Sequence, residues 1–101
     1  MADLNSIYAR HLTIGFVVLR QAFESRDDEW INAELELLHN VSSLIDEGNA
    51  LRHQYFWSEE RTHYIRWASS ASGEAASRMR TFYEPIWQEL GEALAAFEDA
   101  A

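Results

Sequence analysis

Apolar residues recur along this chain at intervals of three and four, in four blocks separated by short polar or small-residue stretches, the spacing of amphipathic helices rather than strands. The first block places Leu4, Tyr8, His11, Leu12, Gly15, Val18, Leu19 and Ala22 on one face, with Asp3 or Asn5 as its cap and an end near Phe23. A β-branched run, Ile14 to Val18, competes for a strand there, but the spacing on both sides of it is helical. Ser25 and Asp28 have capping-box spacing and open a second helix with inward positions Trp30, Ile31, Leu37, Leu38, Val41, Leu44 and Ile45. Gly48 ends that helix and Asn49 caps a third, from about Ala50 to Ser69, with a turn over the small residues Ser69 to Gly73. The fourth carries a clean stripe through Met79, Tyr83, Ile86, Trp87, Leu90, Leu94 and Phe97. Pro85 interrupts it, so the helix kinks there or restarts at Thr81, whose hydroxyl and Glu84 have capping-box spacing. These signals predict an all-α, up-down-up-down four-helix bundle, one domain over residues 1–101, with its fourth helix kinked near Pro85.

The third block is the most informative. Taking Glu60 as reference and turning about 100° per residue, His53, Phe56, Trp57, His63, Tyr64 and Trp67 fall within roughly 60° of it. One carboxylate thus sits among aromatic rings and two imidazoles, where it must be neutralised, paired or kept wet. The opposite face carries Leu51, Tyr55, Ser58, Thr62, Ile65 and Ser69. A helix with apolar residues on both sides wants cover on both, and a second copy of the chain is the simplest cover for the outer one, which predicts a homodimer.

Charge narrows the classes of partner. Seventeen acidic residues against eight basic ones give a formal charge of -9, which repels phosphate backbones and anionic headgroups, so nucleic acid and membrane surfaces are not expected. A basic protein partner stays open. All eight basic residues are arginine, and cysteine is absent, which removes disulfides, thiolate metal sites and cysteine nucleophiles and fits a cytoplasmic setting. No apolar run approaches the roughly 18 residues of a membrane span, and the N-terminus has no secretory signal pattern.

Two Glu-x-x-His pairs, Glu36 with His39 and Glu60 with His63, resemble the ligand motif of carboxylate di-iron bundles, which implies two such pairs and two further glutamates converging on the core. Here Glu36 and His39 lie about 150° from the centre of the second helix's apolar stripe and face solvent. The first and fourth helices offer no glutamate centred on their inner faces. A metal site is thereby limited to Glu60, His63 and one of His11 or His53, and no cofactor is expected. His11, near the level of Glu60 if the first and third helices run parallel, is the expected partner of that carboxylate.

The expected role is that of a small acidic, non-catalytic interaction or ligand-binding protein, with His11, His53, Trp57, Glu60, His63, Tyr64 and Trp67 as candidate binding residues. Two rivals belong to other classes: a metal- or acid/base-dependent enzyme using His11, Glu60 and His63, and an acidic inhibitor that plugs a basic site as small helical immunity proteins do.

Overall fold

The computed structural model describes residues 3–70 and 73–100, with side-chain surroundings described through Phe97. The turn expected over Ser69 to Gly73 includes residues outside that set. The chain forms an all-α bundle of four helices. The first is Leu4–Glu24, capped by Asp3, whose carboxylate accepts from the Ser6 amide at 2.7 Å. The second is Asp28–Ser42, and its cap is Asp27, which accepts from the Trp30 amide at 3.2 Å. The expected cap at Ser25 is thereby corrected. Arg26 takes a left-handed φ of 55° in the turn, which advances the start of the helix to the next acceptor.

The second helix also ends earlier than Gly48. The hydroxyls of Ser42 and Ser43 donate to the carbonyls of His39 and Asn40, and Asp46 turns left-handed at φ 61°. Asn5 then clasps the turn, accepting from the Asp46 amide and donating to its carboxylate, both at 2.8 Å. Serine hydroxyls that bond back to the last carbonyls compete with helix continuation, so the stop comes before the glycine. Asn49 caps the third helix as expected, accepting from the Leu51 amide at 3.0 Å.

The third and fourth helices each contain one wide turn. Phe56–Glu60 and Met79–Tyr83 are π-helical, while the flanking segments Ala50–Tyr55, Arg61–Ser70, Gly73–Arg78 and Glu84–Ala100 are α-helical. The fourth helix does not restart at Thr81. Its wide turn ends two residues before Pro85, whose ring would otherwise press on the carbonyl one turn back. In the third helix the extra residue resets the register. Residues after Glu60 fall one position behind α-helical phase, so Ala68 takes the buried place that regular periodicity gives to Trp67.

The core includes Ile7, Tyr8, Trp30, Leu37, Phe56, Tyr83, Leu90 and Leu94. Two glycines permit close approach: a Cβ at Gly15 would lie 2.2 Å from Leu38 Cδ2, and one at Gly91 would lie 2.8 Å from the Trp57 ring. No helix among the described residues is long and apolar enough to cross a membrane.

Candidate functional site

Four polar side chains, Glu34, Tyr64, Tyr83 and His11, meet inside the bundle, and the acidic one is Glu34. It lies on the second helix one turn from Trp30 and from Leu37 and Leu38, in the stripe itself, and is fully buried. The Tyr64 hydroxyl donates to its Oε2 and the Tyr83 hydroxyl to its Oε1, so the third and fourth helices each contribute one donor. Burial away from water pushes its pKa up to about 7, against the two tyrosine hydrogen bonds, which favour the carboxylate. Burial and the neighbouring carboxylate push both tyrosines above their ordinary range. Sequence reasoning passed over Glu34 because it sought carboxylates by the Glu-x-x-His pattern. The signal was present, since Glu34 lies within roughly 10° of the centre of the second helix's apolar stripe.

His11 is placed next to this layer. Its ring lies 4.8 Å from that of Tyr83, and its Nε2 accepts from the Trp87 indole N–H at 2.9 Å. An imidazole that accepts at Nε2 and is neutral carries its proton on Nδ1. Burial lowers its pKa to about 4, so it is neutral near pH 7. The expected pairing of His11 with Glu60 is therefore corrected. Glu60 instead receives Arg52 Nη1 at 2.6 Å, and Arg52 Nη2 reaches the Ser43 hydroxyl at 3.0 Å. Arg52 sits on the same helix eight residues earlier, a distance that the wide turn between them and the long arginine side chain together span.

His53 has a third arrangement. Its Nε2–H donates to the Glu47 carbonyl at 2.6 Å, which leaves Nδ1 to accept from the Tyr8 hydroxyl at 2.8 Å. Both its nitrogens are used in the core, and Tyr8 is pushed above its ordinary pKa by burial. The seven sequence candidates thus separate. His53 and Tyr64 are buried, Trp57, Glu60 and Trp67 are half-buried, His63 is exposed, and His11 is in the core on another helix. Trp57 covers Gly91 on the fourth helix and carries the Arg61 guanidinium of its own helix 3.8 Å above its ring, a cation–π contact within the third helix.

Four of those candidates do come together at the surface. Between the second and third helices a groove of about 330 Å³ is bordered by Glu29, Asn32, Glu36 and Asn40 on one side and by Glu60, His63, Tyr64 and Trp67 on the other. Its floor is aromatic and its rim is acidic, with no arginine in the lining. The Tyr64 that lines it also holds Glu34, so the groove and the buried layer share one side chain. The spacing placed Glu36 in solvent, and it is exposed. Only the tertiary arrangement shows that this exposed position faces Glu60 and His63. Among the described residues no group of three or more His, Cys, Asp or Glu side chains is placed to hold a metal ion. No family model matches the chain, and neither does any curated protein or solved structure.

Proposed function

We propose that this chain is a non-catalytic binding protein whose groove between the second and third helices receives a cationic side chain of a basic partner protein. The observation that carries the reading is the lining of that groove: three glutamates and two asparagine amides around the rings of Tyr64 and Trp67. A guanidinium or ammonium group gains there from carboxylates at the rim and from ring faces below. One of the three charges is already offset, because Arg52 pairs with Glu60, so Glu29 and Glu36 supply the attraction. A net charge of -9 adds long-range steering toward a basic surface. The reading includes assembly as a homodimer and a cytoplasmic location, the latter supported by the absence of cysteine.

A catalytic use of His11, Glu60 and His63 fits the arrangement less well. His11 is bonded to Trp87 in the core, Glu60 to Arg52, and His63 stands at the surface, so the three do not converge on one reacting atom.

Titration calorimetry at low ionic strength with a short arginine-rich peptide and its citrulline counterpart tests the proposal. Binding of the arginine peptide alone is expected, weakened about tenfold by Glu36→Gln with melting temperature unchanged, and by Trp67→Ala with a lower melting temperature because Trp67 also packs against the core. Equal binding of the two peptides, or binding indifferent to both substitutions, would overturn it.

A further inference from the structure

The groove and the buried layer leave one surface of the bundle without a role. On the first helix Leu12, Phe16, Leu19 and Phe23 follow at intervals of four, three and four, which lays them in one stripe along the outside. Phe16 is 62% exposed and Phe23 54%, with Leu12 and Leu19 only partly covered. The second helix runs antiparallel beside them, with Leu38 against Gly15 at one level and Asp46 bonded to Asn5 at another. That register sets Ile31 and Leu35 next to the stripe, and Leu35 is 47% exposed. At about 200 Å² for a complete aromatic side chain, and somewhat less for leucine, the three most exposed residues present roughly 300 Å² of apolar surface. The other three extend it. A contiguous patch of that size on a folded chain marks an interaction surface.

We infer that this outer face of the first and second helices is the interface of a homodimer, its occupant a second copy of the same chain. The inference rests on the homodimer part of the proposed function and moves the contact from the outer face of the third helix to the first. Area decides the choice of occupant. Paired with itself across a two-fold axis, the patch supplies roughly 800 Å² of apolar core, and with its rim it reaches the roughly 1,200 Å² at which specific interfaces begin. Coiled-coil spacing of phenylalanine and leucine is suited to interdigitation with a helix of the same pattern. Charge agrees, since Arg20 and Glu24 pair with each other at 3.3 Å beside the stripe and leave its centre neutral. A basic partner gains nothing there. The outer face of the third helix is weaker in this respect, because its exposed Leu51 and Tyr55 give way to Ser58 and Thr62.

Light scattering after size exclusion, across micromolar concentrations, reads the answer directly. The wild-type chain is expected at twice its 11.7 kDa mass. Phe16→Arg and Leu35→Arg are expected at the mass of one chain with unchanged helical circular dichroism, and Tyr55→Arg is expected to stay dimeric. Both target residues are at the surface, and Phe16→Ala, which adds no charge, should still raise the dissociation constant about tenfold. A wild-type protein of single-chain mass at every concentration would sink the homodimer and this interface with it. A wild-type dimer that survives Phe16→Arg and Leu35→Arg, or that Tyr55→Arg breaks instead, would keep the homodimer and overturn this face.

Discussion

Glu34 and His11 titrate in opposite senses through the same pH window, and that opposition sets the pH response of the fold. Glu34 goes from an ordinary 4.5 to about 7, so the folded chain holds its proton more tightly than the unfolded one. Its contribution is complete below pH 4.5 and is lost as pH rises through 7. His11 goes from 6.5 to about 4, so its contribution is complete above pH 6.5 and is lost as pH falls through 4. Each difference is worth about 3 kcal/mol, and between pH 4.5 and 6.5 the two slopes oppose each other. Urea denaturation of the wild type is expected to give a nearly level stability over that interval. Glu34→Gln should uncover a stability that climbs with pH from 4 to 6.5, and His11→Leu one that declines from 4.5 to 7. Parallel pH profiles for the three proteins would contradict the assignment. A second residue-level outcome concerns Glu60: a double-mutant cycle with Arg52 should show coupling of about 0.5 to 1 kcal/mol, as suits a half-buried ion pair, whereas His11 and Glu60 substitutions should add.

The wide turns matter at the level of elements because they decide which side chains enter the core. Phe56–Glu60 inserts one residue of phase, after which Tyr64 and Ala68 point inward, Trp67 moves to the groove and His63 reaches solvent. Deleting the exposed Ser58 would leave a regular helix with residues 61–70 in their present phase, whereas inserting one alanine beside it would turn them by about 100° relative to 50–55, drawing Tyr64 off Glu34 and bringing Trp67 toward the place of Ala68. The insertion variant is expected to lose several kcal/mol and to melt with poor cooperativity by circular dichroism, while the deletion variant keeps most of its stability. An insertion protein as stable as wild type, or a deletion protein as unstable as the insertion variant, would mean that the wide turn does not set the register. The second wide turn, Met79–Tyr83, ends on the other donor to Glu34. Both hydroxyls that hold the carboxylate thus come from helices whose phase has been adjusted.

For the whole molecule the excess of acidic groups is the dominant long-range term. Seventeen acidic residues against eight arginines repel one another, and the described ion pairs are four in number, among them Arg10 with Glu89 and Arg52 with Glu60. Self-repulsion of this kind is screened by salt. Melting temperature should therefore rise by a few degrees between low and moderate ionic strength, while affinity for a basic peptide falls. A melting temperature that salt leaves unchanged would argue against a net repulsive surface. The groove lies on the second and third helices and the exposed phenylalanines on the first, so a dimer through the latter leaves the former open.

Local chemistry was legible in the residues themselves. Period 3.6 fixed four helices, Asp3 and Asn49 were recognisable caps, and the fourth helix's stripe was read as it packs, because each depends only on neighbours within a turn. The caps and stop of the second helix were missed where two local signals competed, Ser25 against Asp27 and Gly48 against Ser42 and Ser43. Partners across the bundle were a different matter. Sequence periodicity put His11 and Glu60 on inner faces, yet it carries no information on which of several inward groups will meet. That choice fell to interhelical register: Trp87 reached His11, Arg52 reached Glu60, and two tyrosines closed on Glu34. The tertiary structure alone also brought exposed Glu36 opposite Glu60 to form the groove. A one-residue π-turn, invisible to a fixed 100° period, turned the most informative face of the chain so that half of it became core and half became surface.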